Sequence, residues 1–152
     1  MKTIAELEKY LEDECYSFTQ LSIGKHQTYE GLIIRKDKDK YIFGFVEKGV
    51  LDIIQSFSNE KALVQYALKE LKRDKWNKGH LVAWTWTEKE IAVAEQELKE
   101  MNIEFKRNDI LNFSKYRNAY RIFVFGKDIL RLEDFKEKYL KSILKNSRNQ
   151  LK

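Results

Sequence analysis

The sequence predicts an α+β domain: a largely antiparallel sheet made of an N-terminal four-strand meander plus later strands, with about four helices packed on it. Three observations carry this. Segments 16–23, 29–36, 40–47 and 50–57 are each rich in aromatic or β-branched residues, as strands are. Helical periodicity flanks this block and does not interrupt it. The connections inside the block, such as "KDKDK" at 36–40, are too short for crossovers, so its strands are expected to run antiparallel.

The elements follow in order. Thr3-Ile4-Ala5-Glu6 has capping-box spacing, and Ile4, Leu7 and Leu11 fall on one helical stripe. After the meander a helix runs from Ser58 to about Asp74, with Leu63, Ala67, Leu68 and Leu71 facing inward. "HLVAWTW" is short and β-prone. Thr87-Glu88-Lys89-Glu90 is a second capping box, opening a helix to about Met101 with Ile91, Ala94, Leu98 and Met101 as its stripe. "IEFKR" and "AYRIFVFG" read as further strands. Asp128 is placed to cap a last helix in which Leu132, Phe135, Tyr139 and Ile143 recur at spacings of three and four.

With 152 residues, no proline and no Gly/Ser-rich stretch, the chain reads as a single α+β domain over 1–139, followed by a basic helix end or tail over 140–152. That tail holds Lys141, Lys145, Arg148 and Lys152 and no acid, leaving 25 Lys and Arg against 24 acids before it. The net charge of +5 therefore reports mostly the tail, which weakens an inference from charge to nucleic acid. No apolar run approaches the ~18 residues of a membrane span, and "MKTIAELEKYLEDE" lacks the apolar stretch of a signal peptide. A cytoplasmic location is the expectation.

The residue inventory excludes several chemistries. The single Cys15 forms no internal disulfide, and with His26 and His80 alone it makes no Cys/His metal cluster at familiar spacing. Between acidic Glu14 and Tyr16 it reads as a small buried hydrophobe. Phosphate-binding loops, nucleophile elbows and dinucleotide glycine patterns are missing. No catalytic residue, metal or cofactor is expected. Glu104-Phe105-Lys106 has the Glu-x-Lys spacing of metal-dependent nucleases but no Asp in 76–105 to share a metal. "FGFVEK" at 43–48 echoes part of an RNA-recognition strand, yet Tyr41 and Ile42 stand where a basic residue and a glycine belong. Its aromatics are expected to fill a sheet face.

Three stretches are candidates for binding. Trp84 and Trp86 lie one residue apart; alternation places them with Val82 on one face, as core or as partner-binding anchors. Glu90, Glu97 and Glu100 fall on one flank of the predicted helix, suited to a basic partner, while Glu95 and Lys99 have i,i+4 spacing on the other. Residues 105–121 interleave Lys106, Arg107, Lys115, Arg117 and Arg121 with Phe113, Tyr116 and Tyr120. With the basic tail, that stretch supports an alternative reading as a nucleic-acid-binding module.

"YSFTQLSIGKHQTYEGLIIRKDKDKYIFGFVEKG", "DKWNKGHLVAWTW" and "YRIFVFGKDILRLEDFKEKY" resemble the small α+β immunity proteins of bacterial polymorphic toxin systems, over about residues 1–139. The resemblance implies a cytoplasmic protein that binds and neutralises one cognate toxin domain, often a nuclease, by stoichiometric inhibition and without catalysis. It carries over no catalytic positions. Glu90, Glu97 and Glu100, then Trp84 and Trp86, are the candidate contacts.

Overall fold

The computed structural model describes residues 1–141 and has the α+β architecture that the sequence predicts. Contacts divide the chain into two compact units, Met1–Lys78 and Gly79 onward.

In the first unit, α1 (Ile4–Asp13) starts where Thr3 Oγ1 accepts a 3.1 Å hydrogen bond from the Glu6 amide. Strands β1 (Leu21–Ile23), β2 (Gly31–Asp37), β3 (Lys40–Glu47) and β4 (Val50–Phe57) form one sheet in sequence order. The β2–β3 and β3–β4 pairs are antiparallel, as expected. The β1–β2 pair is parallel, with Leu21 beside Leu32 and Ile23 beside Ile34, correcting the all-antiparallel expectation. At three residues, β1 is only about 10 Å long. The segment 24–30 turns back at once, through an Ile23–His26 bridge, and returns the chain to the start of β2 without a helix.

Where β2 begins, the Leu32 amide donates to the Gln20 carbonyl at 2.9 Å. Gly31 permits this approach: its φ is +125°, and a Cβ there would lie 2.1 Å from the Gln20 oxygen. Helix α2 (Glu60–Lys72) is capped by Asn59, whose side chain accepts from the Ala62 amide at 2.8 Å. Leu7 and Leu11 of α1 and Leu63, Val64, Ala67 and Leu71 of α2 pack on Leu21, Ile23, Ile34 and Phe43. Phe43 meets Tyr66 edge-on at 5.2 Å, so the first aromatic of "FGFVEK" is core, whereas Phe45 is exposed. Cys15, expected to be buried, is half-buried at φ 56° in the turn that ends α1.

The second unit has strands β5 (Gly79–Thr85), β6 (Phe105–Arg107), β7 (Ile110–Ser114) and β8 (Arg117–Phe125), with α3 (Glu88–Glu100) between β5 and β6. Central β8 pairs antiparallel with β5 on one edge, and with β6 and β7 along the other. Strand β7 is an element that the sequence left as part of a charged, aromatic stretch. Ile91, Ala94 and Leu98 of α3 pack with Val82, Ala83, Ile122 and Val124. After β8 the expected single helix is broken. A 3₁₀ turn, Gly126–Arg131, ends at Leu132 (φ −119°, ψ 23°), and a short helix, α4 (Glu133–Lys136), passes into a π turn, Glu137–Lys141. Asp128 lies inside the 3₁₀ turn and is no cap. The apolar spacing did mark what is buried: Leu132 and Phe135 are core, with Tyr139 against it. Ile143 and the tail from 142 lie outside the described residues.

Candidate partner-binding surface

The surface begins with a bulge. Pairing between β5 and β8 runs Leu81–Phe123, then Ala83–Ile122 and Trp84–Arg121, so Val82 is an extra residue. Val82 and Ala83 are both fully buried. The inserted residue moves Trp84 onto the face of Leu81, Arg121 and Phe123 and away from that of Val82, which simple alternation had assigned to it.

On that face Trp84 and Trp86 are both half-buried, neither fully core nor a bare platform. Their ring centroids are 5.9 Å apart at 70°. Phe113 of β7 closes the group, 5.2 Å from Trp84 edge-to-face and 5.6 Å from Trp86. Such pairs contribute about 0.5–1.5 kcal/mol each beyond area burial. Arg117 lies over Trp86 at 4.5 Å, and Arg121 over Trp84 at 5.6 Å and Phe123 at 5.2 Å. Burial lowers the Arg121 pKa, opposed by the Asp109 charge.

The β7–β8 hairpin carries the group outward. Its ladder is irregular between Ile110–Ala119 and Ser114–Arg117. In between, the Asn112 amide donates to Asn118 Oδ1 at 2.8 Å, and Asn112 and Tyr116 take positive φ of 55° and 77°. The hairpin exposes large apolar groups: Leu111 at 68%, Phe113 at 46% and Tyr116 at 94%. Segment 110–127 contains Lys115, Arg117, Arg121 and Lys127 and no acid. The sequence had marked the cations and rings of this stretch, but not the hairpin that displays them.

The root of the hairpin is tied down by Arg107. Its Nε and Nη2 donate to Asp109 at 3.0 and 2.7 Å, and its Nη1 donates to Glu95 of α3. Asp109 Oδ1 also accepts from the Arg121 amide at 3.1 Å. Hydrogen bonding to Asp109 is the largest cause holding Arg107 well above the usual arginine range. Burial pushes Asp109 up, but the Arg107 and Arg121 bonds outweigh it and its pKa is lowered. Glu95, expected opposite Lys99, thus makes its bond to a neighbouring strand.

The acidic flank of α3 is divided. Glu90 and Glu100 are exposed; Glu97 is half-buried and accepts from Lys138 Nζ at 2.7 Å and from the Tyr139 hydroxyl at 2.6 Å. It joins α3 to the π turn, leaving Glu90 and Glu100 as the outward acids of the three. Glu104 and Lys106, the Glu-x-Lys pair, are both exposed.

In the first unit, Glu8 and Glu12 of α1 meet His26, a trio of metal-ligating type that linear spacing did not reveal. His26 Nε2 lies 2.8 Å from Glu12 and 4.0 Å from Glu8, while the Lys25 amide donates to Glu8 at 2.8 Å and its Nζ reaches Glu12 at 3.2 Å. The His26 bond, then that of Lys25, holds Glu12 below the usual carboxylate range. Lys25 and His26 thus supply hydrogen-bond partners to both carboxylates from within the protein. No helix among the described residues is long and apolar enough to cross a membrane. In comparisons with known proteins, the chain matches no family model, no curated protein and no solved structure.

Proposed function

We propose that this chain is a protein-binding inhibitor of the immunity type, acting in the cytoplasm by stoichiometric capture of a cognate toxin domain rather than by catalysis. One observation carries the reading. Leu111, Phe113 and Tyr116 stand exposed on a hairpin backed by Trp84 and Trp86 and flanked by Arg117 and Arg121. Trp, Tyr and Arg are the residues that dominate protein interfaces, where large rigid groups enter pockets at little entropic cost. Glu90 and Glu100 are a second candidate contact.

The nucleic-acid alternative draws on the same rings and cations. The geometry favours a protein, because Arg117 already lies over the Trp86 ring that a base would stack on, and the aliphatic Leu111 gives a base nothing. The deciding experiment is to express the C-terminal domain of the protein encoded next to this chain, alone and then together with this chain, and to count surviving cells. Rescue of growth and a 1:1 complex, both lost in Phe113→Ala/Tyr116→Ala, are expected. Killing that continues despite well-expressed wild-type chain rules out inhibition of that toxin. Steeply salt-dependent binding to single-stranded DNA, abolished by Lys115→Glu/Arg117→Glu, would replace the reading with the alternative.

A further inference from the structure

Strand β4 is the outer strand of the first unit's sheet: it pairs with β3, and among the described residues no strand lies on its other side. Every second residue of such a strand turns its N–H and C=O outward, a template for another strand. Proteins blunt such edges with lysine, with proline or by keeping the strand very short. β4, "VLDIIQSF", runs for eight residues without lysine, arginine or proline. Val50 is 68% exposed, and Ile53 and Ile54 are 49% exposed each. The one charge in the strand is Asp52. Glu47 and Lys48 before it cancel, as do Glu60 and Lys61 after it.

A bulge makes this edge self-complementary. Phe43 pairs with Gln55 and Gly44 with Ile53, so Ile54 is an extra residue. Cross-strand partners share a face. Val50, Asp52, Gln55 and Phe57 therefore lie on the face where Phe43 meets Tyr66 of α2, and Leu51, Ile53 and Ser56 lie on the other. Consider a second β4 laid antiparallel on the free edge, end to end, about a two-fold axis normal to the sheet. Val50 then meets Phe57 of the second copy, Leu51 meets Ser56, Asp52 meets Gln55 and Ile53 meets Ile54. Such an axis keeps each face on its own side, so paired positions must share a face. The first three pairs do so only because of the bulge; without the extra residue, the two ends of an eight-residue strand would face opposite ways. Like charges do not meet either. The two Asp52 carboxylates stand about 10 Å apart along the pair, near a Debye length.

We infer that two copies of this chain pair through β4, so that the antiparallel order β2–β3–β4 continues into the sheet of the second copy. The paired strip is about 27 Å long and, with side chains on both faces, buries about 500 Å² from each copy. About 1,000 Å² in total is the lower bound for a specific interface, so the dimer is weak, with a dissociation constant on the order of 10 µM. Val50, Ile53 and Ile54 supply its apolar contacts. Phe57 supplies less, because its ring already packs on Tyr66 at 5.3 Å. The surface is made by residues of the first unit alone and does not depend on what the hairpin of the second unit binds.

The test is analytical ultracentrifugation of the full chain from about 5 to about 500 µM. The mass should rise from the 18.3 kDa of one chain toward twice that. Ile53→Lys/Ile54→Lys should weaken the dimer about tenfold or more, because it gathers four ammonium groups at the axis. Both side chains are exposed, so the fold should survive, and circular dichroism checks that it does. Leu111→Lys/Tyr116→Lys, in the second unit, should leave the dimer unchanged. Asp52→Cys and Gln55→Cys proteins, each in a Cys15→Ser background, should form a disulfide when mixed and oxidised but not when either is oxidised alone. A chain still monomeric at about 500 µM overturns the inference, and so does a dimer untouched by the double lysine variant. Disulfides that form as readily in either protein alone overturn the end-to-end register. A monomer whose capture of a toxin domain is lost in the double lysine variant overturns self-pairing and assigns the edge to that other protein.

Discussion

The Tyr139 hydroxyl donates to the carboxylate of Glu97 across 42 residues of sequence, at 2.6 Å. With Lys138 on the same oxygen, it fastens the π turn to α3. Tyr139→Phe or Glu97→Gln should cost about 1 kcal/mol in urea denaturation, below the roughly 1.5–3 kcal/mol of bonds to a charged group because the site is partly hydrated. Glu97→Lys should cost more, since it sets two cations together, and should speed amide exchange in 133–141. Charge reversal at Glu97 is thus a structural perturbation, and the acidic flank is probed cleanly only at Glu90 and Glu100.

The same pair sets a pH window. Burial acts to raise the Glu97 pKa, but the bonds from Lys138 and Tyr139 win and lower it from the ordinary 4.5. A lowered acid contributes stability above its unfolded value and loses it as pH falls through the folded one. Tyr139 is pushed up from 10.0 to about 12, by burial first and then by its bond to Glu97. Its contribution is complete below pH 10 and disappears as pH rises toward 12. Exchange protection in 133–141 should therefore decline, relative to Glu97→Gln/Tyr139→Phe, below pH 4.5 and above pH 10. A flat difference between the two proteins across both ranges would contradict this.

Arg107 joins three segments through one planar fork, and lysine cannot reproduce that fork. Arg107→Lys should cost about 1–2 kcal/mol, because Glu95 and Asp109 are about three-quarters buried and lose charge-assisted bonds. Arg107→Ala should cost more, since both carboxylates are then left without their cation. Asp109→Asn, which keeps an acceptor for the Arg121 amide, should fall between wild type and Arg107→Ala. Chemical denaturation of the three variants gives that order or refutes it.

Gly31→Ala should be among the most damaging small changes in the first unit. The added Cβ meets the Gln20 backbone at 2.1 Å and holds φ at +125°, and neither can relax without parting β1 from β2. Gly49→Ala provides the control: its φ is +78° but the space is open, so only conformational strain of about 1 kcal/mol is expected. Near-equal melting temperatures for these two variants would show that the Gln20–Gly31 contact yields.

Much of this fold was legible because local signals agreed with the tertiary result. Thr3 and Thr87 cap helices where their spacing says, and stripes such as Ile91, Ala94 and Leu98 mark a core that depends on periodicity alone. What failed depended on through-space partners. A three-residue β1 is too short to carry a directional signal, and the parallel pairing came from how soon the chain turns back. The bulge at Val82 has no residue signature and exchanges the face of every later side chain. Glu95 prefers a guanidinium across the fold to Lys99 along its own helix. Strand β7, "ILNFS", leaves Leu111 and Phe113 exposed where a strand's alternation would mark a buried face, so the hairpin that displays the candidate surface was not recognised as strand.

Trp84 holds the sharpest test of that surface. Its indole Nε1 is buried with no hydrogen-bond partner among the described residues, and an orphaned buried donor costs about 1–3 kcal/mol. Trp84→Phe removes the donor and part of the ring together, so the two effects oppose and the change should stay within about 1 kcal/mol of wild type. Trp84→Ala should cost roughly 3 kcal/mol, as lost packing is no longer offset. Phe113→Ala should cost about 1–2 kcal/mol, because it removes two ring contacts from a side chain that is itself half in solvent. It should also raise acrylamide quenching of Trp84 and Trp86, read in a Trp76→Phe background. If Phe113→Ala changes neither stability nor quenching, the hairpin does not cover the tryptophans, and the surface they were argued to support loses its foundation.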